Sequence, residues 1–304
     1  MTSQDFINPD GSLCLAFAGR GRELVVWLAP GTDPVEMQRA IGILMPRWPV
    51  GPVNGDAIPD IAVTRANETY RIQATSWEGG ESLAEDFHNA AIEHRAIIGF
   101  LPLATVVDVG ANVGQFSLLV RALHPEARIE AFEPLPEAAA RFRMVFQGDD
   151  LVTLHEATVA PTQGTATMHV SASADSSSLL PISDRQSELF PGTEEVGTAD
   201  LVAGPLDAYV ARDRIVAPAM LKIDMEGFEL EVLRGSGSLL AEFQYVYVEA
   251  SFEALYEGQA LISDVAAFLE GRGFVEAGRF NIAHTADGAP IQADFLFQRG
   301  GESG

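Results

Sequence analysis

The stretch from Ala104 to Ser117, Ala-Thr-Val-Val-Asp-Val-Gly-Ala-Asn-Val-Gly-Gln-Phe-Ser, constrains the fold of this chain more than any other. Val106, Val107 and Val109 form a short β-branched run interrupted only by Asp108, the pattern of a strand buried on both faces. Gly110 and Gly114 permit tight turning and close approach of backbone to a ligand. Phe116, Leu118, Leu119 and Leu123 then fit one helix, which His124-Pro125 stops. Strand, glycine loop and helix in that order open a nucleotide-binding α/β sheet, with the helix amides directed at the ligand.

The loop departs from the dinucleotide fingerprint G-x-G-x-x-G, because Asn112 stands where the second glycine would let the backbone reach a pyrophosphate. Asp108 beside the loop disfavours a pyrophosphate and suits a cationic ligand, such as the amino group of a methionine moiety. The next strand, Ile129-Glu-Ala-Phe-Glu-Pro, ends on Glu133, which lies 23 residues after Gly110. An acid at that spacing accepts both ribose hydroxyls in such folds. Asp108, Gly110, Asn112, Gly114 and Glu133 together favour S-adenosylmethionine over NAD. The competing reading is an ordinary tight turn with a solvated Glu133.

A second informative run is Ala219-Met-Leu-Lys-Ile-Asp-Met-Glu-Gly-Phe-Glu-Leu-Glu-Val-Leu-Arg-Gly. Its apolar start predicts a strand ending at Asp224. A helix is expected from Glu226 to Arg234, with acids in the first turn and Arg234 in the last. Asp224 and Glu226 would then stand at a strand's C-terminal end, where open α/β sheets hold their ligands. The strand Tyr245-Val-Tyr-Val-Glu-Ala carries Glu249 to the same end. Asp224, Glu226 and Glu249, carboxylates expected at strand ends, are the candidates for a catalytic base. Asp224 and Glu249 holding Mg²⁺ is the alternative. Lys222 is expected to pair with a carboxylate. The last two strands, Phe274–Phe280 and Ala293–Gln298, are joined by a loop too short for a helical crossover and are expected to pair antiparallel.

With these runs in place, the chain resembles the FkbM-type methyltransferases. The resemblance rests on residues 106–114, Ala-Phe-Glu-Pro at 131–134, Ser-Ser-Ser-Leu at 176–179, Leu206-Asp207, residues 221–235 and Tyr-Val-Glu at 247–249. It implies a Rossmann-like class I methyltransferase fold, α/β, with a seven-stranded, mostly parallel sheet and an antiparallel last strand. It also implies methyl transfer from S-adenosylmethionine, commonly to a hydroxyl of a sugar, glycan or natural product. Family members often contact adenine with Asp or Asn near the end of the third strand. Here Leu-His-Glu-Ala-Thr leaves that contact between Glu156 and a backbone group. An NAD-dependent Rossmann enzyme and a non-catalytic nucleotide-binding module are the rival readings.

Residues 1–80 carry none of these signals and read as a small α+β module. Leu13–Phe17 and Leu24–Leu28 form a hairpin, Pro34–Leu44 a helix, and Ile61–Val63 and Tyr70–Ala74 further strands. Substrate shaping, a homodimer contact or a purely structural role are open for it. Residues 81–304 are the catalytic domain, entered by a helix over Glu81–Phe100 that carries His88 and His94. The run Asp175-Ser-Ser-Ser-Leu-Leu reads as a flexible loop, with a loop folding over the site as the alternative, and Ser183–Asp200 as an exposed insertion. A formal net charge of −24 argues against nucleic-acid partners, whose phosphates need Lys and Arg. The one cysteine excludes an intrachain disulfide framework. No basic-then-apolar N-terminus and no run of about 18 apolar residues is present, so a cytoplasmic chain without membrane contact is expected.

Overall fold

The computed structural model describes residues 13–19, 22–28, 50–51, 61–65, 68–72, 90, 93–95 and 97–300. The chain divides into two compact units: Met1–Pro102 with Val113–Ala127 and Val145–Gln147, and Leu103–Asn112 with Arg128–Met144 and Gly148–Gly304. The boundary expected near residue 80 falls inside the first unit.

In the first unit, β1 (Leu13–Gly19), β2 (Arg22–Leu28), β3 (Val50–Gly51), β4 (Ile61–Arg65) and β5 (Glu68–Ile72) form one sheet in the order β3-β1-β2-β4-β5. β1 and β2 make the expected hairpin, with Leu13 opposite Leu28 and Gly19 opposite Arg22. Helix α1 (Gln115–Leu123) follows Gly114 at φ 98°. Its end is fixed by buried Arg121, whose Nη1 donates to the carbonyls of Pro125 (2.8 Å) and Ala127 (2.7 Å). The helix expected over Pro34–Leu44 and His88 lie outside the described residues. Of the helix expected over Glu81–Phe100, residues 90, 93–95 and 97–98 are helical.

The second unit holds the seven-stranded sheet. Its strands are β6 (Thr105–Val109), β7 (Arg128–Phe132), β8 (Val152–His155), β12 (Ala219–Ile223), β13 (Tyr245–Ser251), β14 (Phe274–His284) and β15 (Pro290–Arg299). They lie in the order β14-β15-β13-β12-β6-β7-β8. Pairings across β13-β12-β6-β7-β8 are parallel, while β15 runs antiparallel to both β13 and β14. This is the class I methyltransferase arrangement with its reversed last strand, as expected. Val107, Val109, Leu221, Ile223, Val246, Val248, Phe295 and Phe297 share one apolar cluster. Their two-residue spacing puts them on one face of the sheet. The cluster includes Leu230 and Leu233 of α4 (Glu229–Gly235) and Val265 and Leu269 of α5 (Ile262–Glu270). The order reverses between β6 and β12, a switch point where such sheets bind ligands beyond their strand ends.

Three expectations are corrected. Ser183–Asp200 is not a bare insertion: it contains α3 (Asp184–Leu189), capped by Ser183, and most of β11 (Glu195–Gly204). β11 forms a small sheet with β9 (Thr158–Val159) and β10 (Gly164–Ser171), in the order β10-β11-β9. The serine run is a packed segment, with Ser177 and Ser178 buried and Ser178 bridged to His169. The helix predicted from Glu226 begins at Glu229, because Glu226 (φ 46°) and Gly227 (φ 94°) are both left-handed. Helix α2 (Pro136–Val145) follows Glu133. No described helix is long and apolar enough to cross a membrane.

Candidate active site

The site begins where β6 and β12 end side by side. Gly110 (φ 81°) has no room for a side chain, since a Cβ there would lie 1.8 Å from the Asp224 carbonyl oxygen. The Asp224 amide donates to the Val109 carbonyl at 3.1 Å, so the glycine loop and the Asp224 turn are laced together. Asn112 also takes a left-handed conformation, φ 48°, which asparagine tolerates better than most residues. That explains how the loop dispenses with a second glycine.

Lys222 joins these parts. It is the only lysine in the sequence. On β12 it lies in register with Asp108 of β6. Its Nζ donates to the Gly110 carbonyl (2.9 Å) and pairs with Asp108 Oδ1 (3.2 Å) and Asp224 Oδ2 (3.4 Å). Burial pushes its pKa down, but the two carboxylates push it up further, so the ammonium stays charged. Asp108 is fully buried against this ammonium, whereas the Asp224 side chain is 43% exposed. Asp108 therefore works on the loop through Lys222, and Asp224 presents a carboxylate outward.

Glu133 follows β7. Its carboxylate accepts the Asn112 amide through Oε2 (2.9 Å) and the Leu135 amide through Oε1 (2.7 Å). Burial raises its pKa to about 7 against those two hydrogen bonds. Each oxygen keeps a second lone pair, so the two acceptors fit a pair of vicinal ribose hydroxyls. Glu156, after β8, is exposed and paired with Arg143. His155 stacks on Phe132 with its Nε2 3.0 Å from Glu130 Oε2, and His94 packs edge-on to Phe116.

Beyond Asp224, one carboxylate oxygen each from Asp224, Glu226 and Glu249 lie within 4.8 Å of one another. The three catalytic candidates therefore converge. Glu249 lies on β13 opposite Asp294 of β15 and accepts from Gln292 Nε2 at 2.9 Å. Burial first, then the Asp224 charge, raises Glu226 and Glu249 well above the ordinary carboxylate range. Glu229 instead turns back to accept the Gly227 amide at 2.8 Å, the helix-terminal role expected of an acid there. Sequence reasoning missed Tyr256, whose hydroxyl donates to Glu226 Oε2 at 3.0 Å, and Asp294, which Asn281 Nδ2 holds at 2.6 Å. Neither sits in a motif; each reaches the site from a different part of the chain.

Residues 108–276 match the Methyltransferase FkbM domain family, and the chain belongs to it. It is an S-adenosylmethionine-dependent methyltransferase, which removes the NAD-dependent reading. The chain is similar to 2-O-methyltransferase NoeI of Sinorhizobium fredii, with 28% identity over 175 residues, 55% of this chain and 72% of that protein. It is equally similar to 31-O-demethyl-FK506 methyltransferase FkbM of Streptomyces tacrolimicus, with 28% identity over 196 residues, 57% of this chain and 73% of that one. A solved magnesium protoporphyrin IX methyltransferase from Synechocystis PCC 6803 covers 72% of this chain and 84% of its own at 12% identity and TM-score 0.38. The fold assignment rests on strand order rather than on that likeness.

Removing the ammonium would leave Asp108 buried without its cation. Lys222→Met is expected to lower unfolding free energy by about 3–5 kcal/mol in urea titration, the usual cost of breaking a buried pair. Lys222→Arg is not expected to restore it, since a planar fork does not match three convergent acceptors. Unchanged midpoints would show that Lys222 is not holding the loop.

Proposed function

We propose that this chain is an O-methyltransferase acting on a hydroxyl of a sugar, glycan or other small natural product. The observation that carries this reading is the convergence of Asp224, Glu226 and Glu249 at the strand ends next to Gly110. The names of the two relatives, both O-methyltransferases, support oxygen as the acceptor atom. In this reading Gly110, Asn112, Gly114 and Glu133 hold S-adenosylmethionine, with Asp108 acting through Lys222. Glu156 is the adenine candidate; its pair with Arg143 lies at the surface and costs only about 0–1 kcal/mol to break.

Bound S-adenosylmethionine supplies an electrophilic methyl group on a sulfonium. The chain's own task is to align an acceptor oxygen with that methyl and to take the acceptor's proton. Asp224 is the proposed proton acceptor, oriented by Lys222, with Glu226 and Glu249 fixing the acceptor hydroxyls. Turnover of monosaccharide glycosides, oligosaccharides and hydroxylated natural products, read by mass spectrometry, tests the acceptor class. A panel in which only amines gain a methyl group would overturn it.

A second reading has an observation of its own: three hard oxygen donors within 4.8 Å of one another suit Mg²⁺. Asp224→Asn is expected to keep S-adenosylhomocysteine affinity within a few-fold while cutting turnover by about 10²–10⁴. Activity lost in EDTA and restored by Mg²⁺ favours the metal; indifference to EDTA favours the carboxylate base. Full turnover by Asp224→Asn would pass the role to Glu226 or a histidine.

Glu133 gives a pH signature. Burial pushes its pKa up to about 7, and in this reading only its ionised form accepts from both ribose hydroxyls. As pH falls through 7 the carboxylate takes up a proton, so affinity should weaken toward about tenfold per unit. Calorimetry with S-adenosylhomocysteine between pH 5.5 and 8 reads this, and Glu133→Gln should flatten it. A flat profile for the unaltered protein takes Glu133 out of the site.

Residues 1–80 are proposed as a separate module, dispensable for cofactor binding and available for a homodimer. All five strands of its sheet lie between Leu13 and Ile72. A chain starting at Glu81 is expected to fold and bind S-adenosylhomocysteine. A folded truncation that binds nothing would assign the module to the site.

A further inference from the structure

Glu226 stands in a conformation that needs support. At φ 46° it is left-handed, and unlike the asparagines at 112 and 281 it has no short side chain to ease that state. Such a residue costs of order 1–3 kcal/mol and persists only where its surroundings over-determine it. Two groups from distant segments do so here. Ser178 Oγ donates to the Glu226 carbonyl at 2.5 Å, and Tyr256 Oη donates to Glu226 Oε2 at 3.0 Å. One grips the main chain and the other the side chain. Gly227 completes the fit, since a Cβ there would lie 3.0 Å from the Tyr256 ring.

Both groups are themselves anchored. Ser178 is fully buried and exchanges two backbone hydrogen bonds with His169, at 2.7 and 3.1 Å. Tyr256 is 1% exposed. The segment after Ser178 is bonded to the segment carrying Tyr256: Ser183 Oγ donates to the Leu255 carbonyl at 2.6 Å, and the Glu257 amide to the Pro181 carbonyl at 2.9 Å. The Tyr256 hydroxyl also lies 3.2 Å from the Ser176 carbonyl, so the two arms meet above Glu226.

We propose that Ser178 and Tyr256 are positioning residues for methyl transfer, a two-point clamp that holds Glu226 left-handed so that its carboxylate joins Asp224 and Glu249. The proposal rests on the reading of Glu226 as part of the acceptor site. Without the clamp the turn at Glu226–Gly227 relaxes and the carboxylate leaves the cluster. A displacement of that kind, about 1 Å, is enough to cost roughly 10²-fold in rate. Tyr256→Phe keeps the ring and removes only the hydroxyl, which makes it the cleaner variant.

Two measurements on the full chain test this. Hydrogen exchange read by mass spectrometry needs no ligand: amides of residues 225–228 should exchange about tenfold faster in Tyr256→Phe and in Ser178→Ala, with β12 unchanged. Unaltered exchange in Tyr256→Phe overturns the clamp, whatever becomes of Ser178→Ala. Kinetics use S-adenosylmethionine and the panel acceptor with the highest kcat/KM. Tyr256→Phe should lower kcat about 10–100-fold and leave KM for S-adenosylmethionine within twofold. In a Glu226→Gln background the same change should have less than about a twofold further effect, because the two act as one unit. An equal loss in both backgrounds overturns the clamp. Full turnover by Glu226→Gln instead removes the underlying reading of Glu226, and the exchange result stands apart from it.

Discussion

The ammonium of Lys222 is the interaction on which the adjoining β6 and β12 ends of this sheet depend. It sits in a central strand, buried, with Asp108 beside it in register and the Gly110 carbonyl and Asp224 within 3.4 Å. The three acceptors come from the strand end, the loop and the neighbouring turn, and they converge on one point. A compact ammonium with three rotatable donors meets that geometry; a planar guanidinium with a fixed fork does not. Every other cationic side chain, histidine aside, is arginine, so lysine appears only here. The cost of burying Asp108 and Lys222 is offset only as a pair, which couples the loop to the β12 end. Gly110 enforces the same coupling sterically, because nothing larger than hydrogen fits against the Asp224 carbonyl.

The parts of this site that could be read from sequence are those encoded locally. The run of Val106, Val107 and Val109 fixes a buried strand, and Gly110 and Gly114 both prove left-handed. The spacing to Glu133 works because β7 is parallel to β6 and ends level with the loop, which brings the carboxylate to the Asn112 amide. The antiparallel β14–β15 pair follows from a short connection alone. What escaped the sequence depends on backbone sign or on distant partners. The acids at 226, 229 and 231 look like a helix's first turn, yet Glu226 is excluded from it by its left-handed φ. Serines at 176–178 read as loop because small polar residues favour loops. The burial of Ser178 is set by His169 and by Glu226, the latter 48 positions away, which no local window contains. β11 was missed for the same reason: four of its first five residues are exposed, and its pairing with β10 is non-local.

The acidic cluster is where stability and function oppose one another. Burial and mutual repulsion raise Glu226 and Glu249 well above the ordinary carboxylate range, so their charged forms are disfavoured in the folded chain. A fold selected for stability alone would separate such groups or neutralise them. Here each is fastened in place instead, Glu226 by Tyr256 and Ser178, Glu249 by Gln292, and Asp224 by Lys222. These restraints hold the oxygens within 4.8 Å of one another, while Asp224 remains the more exposed contributor. Perturbed acids gathered at a switch point and held by dedicated hydrogen bonds mark a candidate functional site. The two ends of that site divide their tasks. Glu133 and the glycine loop are tied by backbone amides, which fixes a binding geometry. The carboxylates across Gly110 are tied by side chains, so the hydroxyl of Tyr256 bears on their arrangement rather than on the amides that hold Glu133.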